Sequence, residues 1–98
     1  MTVKIQSIHF DADKKLLDFI ESKVNKLNTF SNKIIDSEVF LRLDKSSSHE
    51  NKIAEIKLLV PGNDLFAKRQ CKTFEEATDQ AVEALRRQLK KQKEKTMP

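Results

Sequence analysis

Residues 73–95 carry one unbroken helical periodicity, and that stretch limits what the rest of the chain can do. Thr73 stands before Phe74-Glu75-Glu76, so its hydroxyl can accept an N–H from the first turn while Glu76 reaches back to the cap. At roughly 100° per residue, Phe74, Ala77, Thr78, Ala81, Val82, Ala84, Leu85 and Leu89 fall on one broad arc. A helix with so wide an apolar face needs a surface to cover it, and its alanines permit close approach. The remaining residues must therefore supply a sheet or a second helix.

Beyond Leu85 the composition changes. Residues 86–95 hold Arg86, Arg87, Lys90, Lys91, Lys93 and Lys95 against Glu94 alone, a net of +5, whereas the whole chain is +4, so residues 1–85 sum to −1. The positive charge is local. Arg86, Lys90 and Lys93 line one edge of the apolar arc, and Arg87 with Lys91 lines the other. Cations near a helix C-terminus complement the macrodipole, as Glu75, Glu76 and Asp79 complement its start. The alternative is a stripe built for a polyanion. Six cations in ten residues exceed what capping requires.

Ninety-eight residues suit one domain, expected over 1–95 with 96–98 as a frayed tail. One glycine, two prolines, 38% hydrophobic and 35% charged residues describe a globular, soluble, cytosolic chain. No apolar run approaches the ~20 residues of a membrane span, and Met1-Thr2-Val3-Lys4 lacks a secretory pattern. Cys71, the lone cysteine, excludes an internal disulfide and cannot nucleate a zinc site; it reads as a small core residue. With a single glycine at position 62, phosphate-cradling glycine-rich loops are ruled out. No nucleophile–base motif joins Cys71 to His9 or His49, and Glu75 with Glu76 belongs to the helix start. The expectation is a protein without catalytic residues, metal or cofactor.

Taken in order, Val3 and Ile5 alternate with Lys4 and Gln6, a strand over about residues 2–9 that places His9 at its end. Asp11 or Asp13 then caps a helix whose apolar stripe is Leu16, Leu17, Ile20, Val24 and Leu27, with Phe19 and Phe30 on its flank. Lys23 falls inside that arc and Lys26 at its edge. A lysine there either snorkels to water or faces a groove that needs a cation. Ile35, Ser37, Val39, Leu41 and Leu43 form the inward set of a second strand. Residues 45–51 read as a mobile hairpin loop. Ala54, Ile56, Leu58 and Val60 are the inward set of a third strand, Pro61-Gly62-Asn63-Asp64 a turn, and 65–72 a fourth strand with Leu65, Ala67 and Cys71 on one face.

The order is β-α-β-β-β-α, an α+β fold with a four-stranded sheet and both helices on one face, the first two strands parallel across a helical crossover. Phosphate recognition from a rigid helix needs only lysines and arginines. Phe40 and Phe66 on the open sheet face allow base stacking or, more simply, a cross-strand pair.

Thr73-Phe74, Ala77, Ala81 and the run Ala84-Leu85-Arg86-Arg87-Gln88-Leu89-Lys90-Lys91-Gln92-Lys93-Glu94-Lys95 resemble the last helix of the ribosome hibernation promoting factor and protein Y family. Leu16 to Phe30, with Phe19, Lys23, Lys26-Leu27 and Phe30, looks like that family's first helix. The likeness implies a fold similar to double-stranded-RNA-binding domains and a cytoplasmic stress or stationary-phase translation inhibitor. Its partner would be the small ribosomal subunit and its ribosomal RNA at the decoding centre, where it blocks messenger and transfer RNA. Carried over by position, Lys23, Lys26, Arg86, Lys90, Lys91 and Lys93 would contact RNA phosphates, with Arg87 added by charge. Long members carry a second, ribosome-pairing domain; a chain stopping at Pro98 is expected to be a short, monomeric type. Two other classes compete: a protein-interaction module modulating a transcription factor, and a generic double-stranded-RNA binder.

Overall fold

The computed structural model describes residues 1–45 and 49–96, with side chains of the last helix described as far as Gln92. Its elements are β1 (Thr2–Ser7), α1 (Lys14–Asn25), a 3-10 turn (Lys26–Thr29), β2 (Asp36–Leu43), β3 (Lys52–Val60), β4 (Asn63–Cys71) and α2 (Phe74–Thr96). The sheet order is β1-β2-β3-β4, with β1 parallel to β2 and both other pairs antiparallel. Both helices cover one face. α2 packs on β3 and β4, and α1 packs on β1 and against α2.

The core follows the two periodicities. Val39 pairs with Ile56 and Ile56 with Ala67, so successive inward residues line up across the sheet. Onto them α1 sets Ile20 and Val24, the 3-10 turn sets Leu27, and α2 sets Phe74, Ala77, Ala81, Leu85 and Leu89, all buried. Phe10, from the β1–α1 connection, stacks on Phe74 with centroids 5.0 Å apart and a 7° interplanar angle, fixing the entry of α2. Both helix starts carry their caps: Leu16 N–H donates to Asp13 Oδ1 at 2.8 Å, and Glu76 N–H donates to Thr73 Oγ1 at 3.0 Å. Asp13, not Asp11, is the α1 cap.

Five expectations need correction. β1 ends at Ser7, and His9 is an exposed turn residue with φ 67°, a left-handed conformation that histidine tolerates better than most side chains. The α1 stripe is split, because the α-helix stops at Asn25 and Leu27 is delivered by the tighter turn. Ile35 and Leu43, expected inward, are 53% and 47% exposed, since they flank or end β2 beyond the strip of sheet that the helices cover. Asn63 and Asp64 already belong to β4, because Val60 pairs with Asn63 and leaves only Pro61-Gly62 as the turn. Gly62 has φ 83°, the value the third residue of a Pro-Gly type II turn requires. Finally, Phe40 and Phe66 are not a cross-strand pair: Phe40 faces Glu55 and Phe66 faces Lys57, with β3 between them. Of the mobile loop expected over 45–51, residues 46–48 lie outside the described residues.

Candidate nucleic-acid interface

The last helix presents its cations on two flanks. Asp79, Arg86 and Lys90 share the flank toward α1, since Asp79 Oδ1 meets Lys23 Nζ of α1 at 3.1 Å. Gln88 marks the other flank, its Nε2 donating to the Phe66 carbonyl of β4 at 3.0 Å. Arg87 and Lys91 lie toward that side. The helical spacing that placed them on opposite edges of the apolar arc is thereby fixed to two different neighbours.

On the α1 side, Lys23 is neither free nor buried. Its side chain is 32% exposed, with Nζ 5.6 Å from the centre of the Phe19 ring as well as bonded to Asp79. Its ammonium reaches the exposed Asp79 carboxylate of the neighbouring helix. Lys26 opens the 3-10 turn one turn further along and is exposed. Arg86 is half-buried, its Nε donating to both carboxylate oxygens of Glu83 at 3.1 and 3.2 Å and its Nη2 donating to Oε1 as well. The Arg86 guanidinium lies 5.6 Å from the centre of the Phe30 ring.

Glu83 is the hinge of this charge distribution. Its hydrogen bonds with Arg86 hold the carboxyl below the usual glutamate range, and the same bonds raise the guanidinium. Arg87 Nε also approaches it, at 3.8 Å. One carboxylate thus faces both arginines. By contrast, Lys26, Lys90 and Lys91 are exposed and have no ion-pair partner among the described residues. Lys93 lies in the same helix, but its side chain falls outside the described residues.

Three features escaped the sequence reading. The Glu83 clamp was missed although its signal is in the sequence, since i, i+3 and i, i+4 spacing puts Glu83 beside Arg86 and Arg87. Arg69 left no such signal: opposite Ala54 in register, it rises on the helix side of β4 and lines a groove with Gln80 and Arg87. Phe30 was assigned to a helix flank, whereas it follows the 3-10 turn and meets Arg86 only through the tertiary fold. Cys71 is buried in the core, and burial, with Glu76 and Glu50 nearby, pushes its thiol up, away from the reactive thiolate. No helix of the described residues is long and apolar enough to cross a membrane.

The fold recurs in solved structures. A ribosomal subunit interface protein from Coxiella burnetii superposes with a TM-score of 0.84 at 19% identity, over 95% of this chain and 98% of that one. The N-terminal domain of Thermus thermophilus protein Y does so with a TM-score of 0.76 at 22% identity, over 92% of this chain and 93% of the other. The chain belongs to the sigma 54 modulation protein / S30EA ribosomal protein family, whose model matches residues 3–97. Among its relatives is the ribosome hibernation promoting factor of Pseudomonas putida, 30% identical over 95 residues, or 97% of this chain and 89% of that protein.

Proposed function

We propose that this protein is a ribosome hibernation factor that binds the small ribosomal subunit at the decoding centre through RNA phosphates. It stops translation by occupying the paths of messenger and transfer RNA, and acts by occlusion in the cytoplasm, without bond chemistry. The observation that carries the RNA part is the division of charge on α2 and α1. Among the described residues Lys26, Lys90 and Lys91 have no ion-pair partner; Lys90 shares the α1-side flank with Lys23 and Arg86, Lys91 shares the other with Arg87, and Asp79 and Glu83 pair with Lys23, Arg86 and Arg87. Cations that only complemented a helix dipole would need no such array continuing onto a second helix. Lys93 is assigned to the same interface from the sequence alone, and Arg69 extends the array along β4. Residues 1–95 act as one binding domain, and the protein is monomeric off the ribosome. The name of the Pseudomonas putida relative supports the same reading.

The test is cosedimentation with purified small subunits through sucrose. Wild-type protein is expected in the subunit fraction at low salt and lost from it at high salt. The variant Arg86→Glu/Lys90→Glu/Lys93→Glu should stay at the top of the gradient with an unchanged circular dichroism spectrum. Retention of that variant on subunits would refute the interface. A partner held at high salt with no ribosome association would instead favour the protein-interaction reading.

A further inference from the structure

A cleft of about 470 Å³ opens beside the basic flank, between the segment after the 3-10 turn, the β3–β4 turn and the last turns of α2. Its lining includes Phe30, Leu89, Asn28, Asn32 and Lys33. Phe30 is 45% exposed and stands outside the buried core, so packing does not account for it. It is nonetheless held: its N–H donates to the Leu27 carbonyl at 3.0 Å, and Arg86 lies over its ring. Arg86 is in turn fixed by Glu83.

We infer that this cleft takes one unstacked nucleobase of a folded RNA, a reading that rests on the ribosome-binding function proposed above. Three properties select that ligand. An exposed aromatic ring offers a stacking surface that any base can use. Side-chain amides at the wall carry both donors and acceptors, which match the edge of a base exposed in a loop or bulge. Lys33, exposed in the same lining, supplies a cation where the phosphates flanking an extruded base need one. An apolar peptide side chain would strand those amides without water or partner. The protein would then do more than follow a phosphate track: it would prefer RNA with an unpaired base over a continuous duplex.

The probe is an RNA hairpin with 2-aminopurine in its loop, compared with the same stem as a continuous duplex. Wild-type protein should bind the hairpin more tightly and change the 2-aminopurine fluorescence on binding. Phe30→Leu should lose about ten-fold in hairpin affinity, in line with the loss of one base–aromatic stack, and keep its duplex affinity. Phe30→Tyr should behave as wild type. Because the ring lies outside the core, Phe30→Leu should melt within about 2 °C of wild type. Equal hairpin binding by wild type and Phe30→Leu overturns the assignment, as does a wild-type protein indifferent to the loop. Displacement of the hairpin by micromolar adenosine monophosphate would put a free nucleotide in the cleft and overturn the RNA source. Small-subunit cosedimentation run in parallel separates the two failures: wild type retained on subunits confines the failure to the cleft, and wild type absent from them removes both readings.

Discussion

The salt dependence of RNA binding should distinguish the lysines that have no ion-pair partner among the described residues from the arginines that Glu83 holds. Each phosphate neutralised releases condensed counterions, and the slope of log affinity against log salt is about −0.7 to −0.9 per contact. Lys26, Lys90 and Lys91 have no ion-pair partner among the described residues and so contribute three full contacts, a slope of at least about −2 to −3. Raising salt from about 50 to about 200 mM, a factor of four, then weakens binding by about 20- to 40-fold. Replacing Lys90 with Gln should flatten the slope by about 0.7 to 0.9. Arg86 is different, because the Glu83–Arg86 pair presents little net charge to an incoming phosphate. Arg86→Gln should therefore flatten the slope by less than half as much, even if it lowers affinity by removing a hydrogen-bond donor. Filter binding or fluorescence anisotropy with small subunits across four salt concentrations measures all three proteins. Equal slope changes for Lys90→Gln and Arg86→Gln would refute the distinction between paired and unpaired cations. A wild-type slope near zero would refute phosphate recognition altogether.

The remaining predictions concern stability and read out by urea denaturation. Leu85, fully buried in the core, should cost about 2–5 kcal/mol when replaced by Ala, lowering the midpoint without changing secondary structure. Thr73→Ala removes the Oγ1 acceptor for Glu76 N–H and should cost about 1 kcal/mol, whereas Thr73→Ser should retain most of it. The hydrogen bonds from Arg86 lower the folded-state pKa of Glu83, so its contribution is complete above the ordinary glutamate value of about 4.3 and disappears as pH falls through the lower folded value. Glu83→Gln should therefore be less stable than wild type near pH 7 and indistinguishable from it once the pH is well below about 4. An unchanged difference across that range would contradict the pairing.

Period-2 and period-3.6 patterns were enough to order the elements and to name most of the core. Ala54, Ile56, Leu58, Ala77, Ala81 and Leu85 repeat at the spacing their backbone imposes, and burial on one face leaves no other arrangement. The caps at Asp13 and Thr73 were legible for the same reason, since a cap acts within three residues of itself. Boundaries were less legible. Ile35 and Leu43 continue the β2 alternation perfectly, yet no pattern within a strand records where its covering helices stop. Phe40 and Phe66 could share a face on sequence grounds, but which strand lies between them is a matter of sheet order.

The same boundary runs through the candidate site. The sequence by itself determined that charge gathers after Leu85 and that Arg86 and Lys90 lie on a different edge from Arg87 and Lys91, because helical geometry is local. Tertiary structure alone decided which edge faces α1, through the contact of Asp79 with Lys23, and which faces β4, through Gln88 and the Phe66 carbonyl. It also brought Phe30 under Arg86 across more than fifty residues of chain. Contacts of that kind depend on how two helices settle on a shared sheet, a packing outcome in which every buried side chain takes part and no single motif records.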